Sequence, residues 1–233
     1  GSRMTLTISL PVSEGGATAL RPYTLSGKSP ATPAKGVRFN RVVYSAAHVV
    51  ANPLATRDPW IDCALDWDAT IAYRVHLWKL GLGVAEAMDT AQRGMGLDWP
   101  TSLELIRQSI GAARGINGAL LASGCGTDHL LPEPDHGLDY VFGAYEDQIA
   151  AIEAAGGRLI LMASRALARI ARGPDDYARV YDRLLTAARE PVILHWLGDM
   201  FDPFLTGYWG SHDIATAMNV ALDVIQRHAP KID

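Results

Sequence analysis

Polar and apolar residues alternate from Thr5 to Leu10, the segment Ser13-Glu14-Gly15-Gly16 supplies turn residues, and Leu20 to Leu25 runs extended again. This pattern predicts a β-hairpin. From Ser26 to Gly36 the chain has almost no apolar side chains and is interrupted by Gly27, Pro30, Pro33 and Gly36, which reads as a linker. Gly1-Ser2, ahead of Met4, reads as a cloning scar. Residues 1–36 are therefore taken as scar, hairpin and linker, and 37–233 as one β/α domain.

Beyond the linker a short apolar run, a polar loop and a helix-period segment succeed one another, the signature of β/α units on a parallel sheet. The apolar runs are 41–47, the weaker 85–88, 118–123, 158–163 and 191–196. The helices between them carry their own signals. Thr101-Ser102-Leu103-Glu104 has capping-box spacing, and Asp66, Thr101 and Asp175 are read as helix caps. Leu138, Val141, Tyr145, Ile149 and Ile152 form one helical face, ended by Gly156-Gly157. Pro174 fits a first turn, and the last helix presents Ile214, Met218, Leu222 and Ile225 before Pro230.

The later units recur every 33–40 residues. Eight units of that size need roughly 300 residues, and a closed β/α barrel has eight. The expected fold is therefore a (β/α)8 TIM barrel of the α/β class, present as strands one to five with their helices and, in Lys231-Ile232-Asp233, the start of strand six. An open, five-stranded, doubly wound sheet is the alternative. Unclosed edges and apolar helix faces call for a cover, so a C-terminal continuation of the barrel or association into a homo-oligomer is expected. Expressed without a cover, these residues are expected to aggregate.

Composition narrows the partners. The 233 residues are 48% hydrophobic and 20% charged with a net charge of −4, and no five like charges are consecutive. This excludes the basic face that a phosphate backbone requires, so no nucleic acid is expected. No apolar run approaches the roughly 20 residues of a membrane span. Cys63 and Cys125 form no C-x-x-C pair, which fits a reducing cytoplasm.

In parallel α/β folds ligands bind at the carboxyl ends of strands, and here those positions are polar. The first run leads to His48, the second to Asp89, Thr90, Arg93 and Gly94, and the third to Gly124-Cys125-Gly126-Thr127-Asp128. The fourth leads to Ser164 and Arg165, and the fifth to His195, Asp199 and Asp202. Gly124 and Gly126 read as turn glycines, since a G-x-G without its third glycine is a poor phosphate loop.

The segments R-V-V-Y-S-A-A-H-V-V, E-A-M-D-T-A-Q-R-G-M-G-L-D-W, A-S-G-C-G-T-D, L-M-A-S-R-A-L-A-R and P-V-I-L-H-W-L-G-D-M-F-D-P together resemble a bacterial family of dihydrodipicolinate-synthase-like proteins. The resemblance runs from Arg41 to Pro203 and implies a barrel that makes or breaks carbon–carbon bonds through a Schiff base, its lysine arriving on strand six. Departures accompany it. Thr90 and Gly94 alone match the family's carboxylate-binding loop, and the proton-relaying tyrosine after strand four is missing, although Arg165 stands where an arginine binds substrate carboxylate. The four lysines are Lys28, Lys35, Lys79 and Lys231; none sits at an active end, which puts the Schiff-base lysine beyond Asp233.

The leading reading is a class I aldolase or lyase acting on a 2-keto acid or sugar-derived carbonyl compound. In it Thr90, Arg93, Gly94, Asp128, Arg165 and Asp199 bind substrate, His48, Asp89 and His195 move protons, and no cofactor is needed. The alternative is a metal-dependent isomerase, epimerase or hydrolase in which His48, Asp89, His195 and Asp199 hold a divalent ion. A non-catalytic sugar-acid sensor is a third reading.

Overall fold

β1 (Thr7–Glu14) and β2 (Ala17–Thr24) pair antiparallel from Thr7↔Thr24 to Glu14↔Ala17, as the alternation predicts. Gly15 and Gly16 both have positive φ, 60° and 85°, the requirement of a tight two-residue hairpin turn. The computed structural model describes residues 6–26, 40–58, 61–130 and 137–233. Gly1-Ser2, most of the segment read as a linker, Lys28 and Lys35 lie outside the described residues.

Five strands follow: β3 (Tyr44–Ala46), β4 (Gly83–Glu86), β5 (Leu121–Cys125), β6 (Arg158–Met162) and β7 (Ile193–His195). All are parallel, and their order in the sheet is their order in the chain. A doubly wound sheet reverses direction at a switch point. Here, sequential order and right-handed crossovers put every helix on one face, so the architecture is a curled, open half-barrel. Beyond β7, Ile232 forms a parallel bridge with Val192, with Val192 N to Lys231 O and Asp233 N to Val192 O both 2.9 Å, and so takes up the sixth strand position.

Side chains alternate across this sheet with period two. On β6, Leu159 and Leu161 join the layer beneath the helices, whereas Ile160 and Met162 join Ala85, Met88 and Ala122 on the concave face. The outer layer is closed by α1 (Trp67–Lys79), α2 (Trp99–Arg114), α3 (Leu138–Ala154), α5 (Pro174–Ala187) and α6 (Ile214–Arg227); the short α4 (Arg165–Ile170) follows β6 directly.

Three helices differ from the pattern reading. α5 starts at Pro174 after Gly173, so Asp175 lies inside its first turn and is not its cap. α2 is capped by Asp98, whose carboxylate accepts from Thr101 N at 2.9 Å, and Glu104 accepts from Gln108 instead of completing a capping box. Pro100 in the first turn lets the helix begin before Thr101. On α6 the buried face is Ala217, Ala221 and Val224, while Ile214 and Met218 are 63% and 57% exposed. Small residues let α6 approach closely, and its larger apolar stripe is left outward.

Gly124 also serves a purpose other than a turn. It lies within β5 without positive φ, and a Cβ there would come 2.7 Å from Met162 Sδ and 2.8 Å from the Ala87 carbonyl oxygen. A methionine can swing away, but the Ala87 carbonyl is held by Arg93 and cannot. Gly124→Ala is expected to lower stability by about 1–3 kcal/mol, read as a shift of the urea midpoint at unchanged m-value; an unshifted midpoint would show that the β4 end yields freely.

Candidate active site

The carboxyl ends of β4, β5, β6 and β7 open onto one cavity of about 580 Å³. Of the residues singled out in the sequence, Asp89, Arg93, Gly94, Asp128, Arg165 and His195 line it; His48, Thr90 and Asp199 do not.

Asp89 starts a 3-10 turn, Asp89–Ala91, reached through Ala87 with φ 52° and left through Gln92 with φ 63°. Two non-glycine residues in the left-handed region are held there by their surroundings. The Ala87 carbonyl accepts from Arg93 Nη1 at 3.4 Å, and His48 Nδ1, 3.0 Å from the Thr90 carbonyl oxygen, donates to it. His48 thus braces the turn from outside and is exposed.

Arg93 is buried, and its guanidinium donates to Asp128 through Nε (3.2 Å) and Nη2 (3.0 Å), to the Gly124 carbonyl and to the Gln148 side chain. The Trp99 ring lies 4.9 Å from it. With its donors engaged, Arg93 ties β4 to β5 and α3 and has little left for a ligand. Burial pushes the Asp128 carboxyl up, but the Arg93 charge and the hydrogen bonds from Arg93 and Gln148 outweigh it and hold Asp128 below the ordinary aspartate value.

Arg165 is built differently. It opens α4, and its Nε donates to Asp202 at 2.6 Å while its guanidinium carbon lies 5.2 Å from the Phe204 ring centre. No partner takes its two Nη groups among the described residues. The turn carrying it is fixed from below: Ser164 Oγ caps Leu167 N and is 2.6 Å from Thr127 Oγ1, Tyr208 OH accepts from Ser164 N at 3.0 Å, and Tyr145 OH donates to the Met162 carbonyl. Tyr181 OH, 2.9 Å from Tyr208 OH, extends the network. Burial pushes its phenol up to about 12, so it stays protonated as a neutral hydrogen-bonding group.

His195 ends β7 opposite Met162 in register, with its side chain on the concave face. Burial lowers its pKa below 6.5, and the Asp89 carboxylate opposes this. His195 Nδ1 is buried without a partner among the described residues. Asp89 and His195, from the β4 and β7 sides, line the same cavity. His195 is accordingly neutral at neutral pH. Because the unfolded chain takes up the proton first, stability should fall as pH drops below 6.5 and level off beneath the lower folded value. His195→Asn should flatten the urea-midpoint profile between pH 7 and 5; an unchanged slope would remove the histidine's burial as its cause.

The four-ligand metal site does not assemble. Only Asp89 and His195 of the quartet line the cavity, His48 is turned to the Thr90 carbonyl, Asp199 is exposed, and no three His, Cys, Asp or Glu residues converge among the described residues. Lys79 ends α1, and Lys231 Nζ donates to the Ala188 carbonyl, so neither brings an amine to the cavity. Cys63 and Cys125 are free thiols, and burial pushes Cys125 up to about 12. No helix among the described residues is long and apolar enough to cross a membrane.

The sequence reading did not single out Gln148, Arg74, Glu86 or Arg169. Arg74 and Glu86 form a buried pair behind the β4 end. Arg169 lines the cavity one turn after Arg165, and the spacing R-A-L-A-R was the available signal.

Residues 8–233 match a family model described as "Protein of unknown function (DUF993)". The chain belongs to this family. No curated protein matches it. Among solved structures it is similar to a candidate phosphonomutase from Burkholderia cenocepacia J2315, with 14% identity and a TM-score of 0.40 over 69% of this chain and 64% of that one. It is also similar to the HMG-CoA lyase of Bacillus subtilis, with 15% identity and a TM-score of 0.43 over 80% of this chain and 51% of that one. The chain therefore spans between half and two thirds of the length of each.

Proposed function

We propose that this DUF993 protein acts on a small carboxylate-bearing carbonyl compound, making or breaking the carbon–carbon bond beside the carbonyl. The observation that carries this reading is the charge arrangement of the cavity: Arg165 offers two unengaged Nη groups on the β6 side, and Asp89 and His195 line the β4 and β7 sides. A planar guanidinium presents parallel donors to a carboxylate. Neutral His195 takes a proton from the carbon beside the carbonyl, or from a hydroxyl one carbon further on, and Asp89 stabilises the imidazolium so formed. Electron density released at that carbon needs a sink. The resemblance to dihydrodipicolinate-synthase-like proteins supports a Schiff base for this role, with an amine from outside the described residues.

Borohydride reduction in the presence of pyruvate, followed by intact-mass measurement, tests the Schiff base. Exchange of pyruvate methyl protons with deuterated water, followed by NMR, tests the proton transfer separately. Arg165-dependent exchange is expected, and its absence with pyruvate and longer 2-oxo acids would overturn the reading.

A further inference from the structure

Among the described residues three arginines line the cavity, and they differ in what already occupies them. Arg93 is buried and fully engaged, and Arg165 is held at Nε by Asp202. Arg169 has no hydrogen bond or ion pair among the described residues, although its side chain lines the same cavity. By contrast Arg172, Arg183, Arg189 and Arg227, on neighbouring helices and loops, each have a carboxylate partner. Arg165 and Arg169 stand four residues apart on α4, where side chains are neighbours about 5–6 Å apart at Cβ. Ala166 and Ile170 beside them, with Met162 at the strand end, give the wall an apolar character.

We infer that the substrate of this cavity carries two anionic groups, one held by Arg165 and the second by Arg169, joined by a short apolar span. The inference rests on the reading of Arg165 as the carboxylate anchor and adds the second charge. The opposite wall cannot take that charge, because Asp89 presents a carboxylate there that has no cationic partner among the described residues. A dianion therefore lies along α4 with its reactive middle directed at Asp89 and His195. A 2-oxo dicarboxylate meets this description, and so does a phosphorylated oxo acid; the shared chemistry is a second anion a few bonds from the first.

The test is a calorimetric series with butyrate, malonate, succinate, glutarate and inorganic phosphate at constant ionic strength, for the wild type, Arg165→Ala, Arg169→Ala and Arg169→Lys. At least one dicarboxylate should bind tenfold or more tightly than butyrate. Arg169→Ala should bring that ratio to about one, and Arg169→Lys should restore part of it. A wild-type ratio near one, or a ratio unmoved by Arg169→Ala, would overturn the second anion. If butyrate still bound in an Arg165-dependent manner, the carboxylate reading would survive that result. Phosphate binding tighter than every dicarboxylate and lost to the same extent in Arg165→Ala and Arg169→Ala would mean that both guanidiniums share one anion, which also overturns the inference, whereas tight phosphate binding lost in Arg169→Ala alone would identify the second anion as a phosphate. Failure of all carboxylates to bind would remove the proposed function and the inference together.

Discussion

Glu86→Ala is expected to destabilise the protein by about 3–5 kcal/mol, the range for stranding one member of a buried ion pair. Both side chains of the Arg74–Glu86 pair have 0% exposure. The contact is a two-pronged fork, Nε to Oε2 and Nη2 to Oε1, each 2.8 Å. Glu86 also accepts from Ser109 Oγ at 2.5 Å and from its neighbour Ala87 N at 2.8 Å, and Arg74 donates onward to the carbonyls of His48 and Thr70. Removing the carboxylate leaves a guanidinium in the helix–sheet layer with only carbonyls for company, and an uncompensated buried charge carries a large desolvation penalty. The double variant Arg74→Met with Glu86→Leu removes both charges and should recover most of the loss. Urea unfolding of the two variants checks this. A loss below about 1 kcal/mol for Glu86→Ala would mean that water reaches the pair.

The same pair shows how the sequence conceals part of a site's support. Glu86 sits in the weakest of the five apolar runs because its side chain points outward, into a layer where a charge is unexpected, and its partner lies on a helix that shows no strong apolar stripe. Patterns report burial, and a buried charge reads as a surface one until its partner is known. The five strands were legible because β5, β6 and β7 come from dense apolar runs followed by polar loops, and chain-order pairing follows from right-handed crossovers. The placement of Asp89, Arg93, Asp128, Arg165 and His195 around one cavity was legible for the same reason, since they end or follow four successive strands. What each of them does there was not. Arg93 and Arg165 are equivalent as letters, yet Gln148 and the Gly124 carbonyl consume one, whereas Asp202 holds only an edge of the other. His48 and Asp199 follow their runs as closely as the others, but β3 lies at the sheet edge and the loop after β7 carries Asp199 outward.

The fork of Arg165 leads to the second large effect. Asp202 takes Nε, and the other edge of the guanidinium is left to the cavity, so the residue must serve two partners at once. Arg165→Ala is expected to weaken carboxylate binding by about 1.5–3 kcal/mol, the worth of hydrogen bonds to a charged group. The side chain is 48% exposed, and water screening places the expected effect toward the lower end of that range. Arg165→Lys should do little better. A single ammonium would be captured by Asp202, which is only 10% exposed and loses its partner otherwise, so the ligand would meet no donors. Asp202→Asn should act in the opposite direction on a lysine at 165: freed from the carboxylate, the ammonium can turn to the cavity, and the double variant should bind carboxylates better than Arg165→Lys alone. Titration calorimetry with one carboxylate at fixed salt compares all four proteins. Arg165→Lys within twofold of the wild type would show that the cavity needs a positive charge there and not a fork.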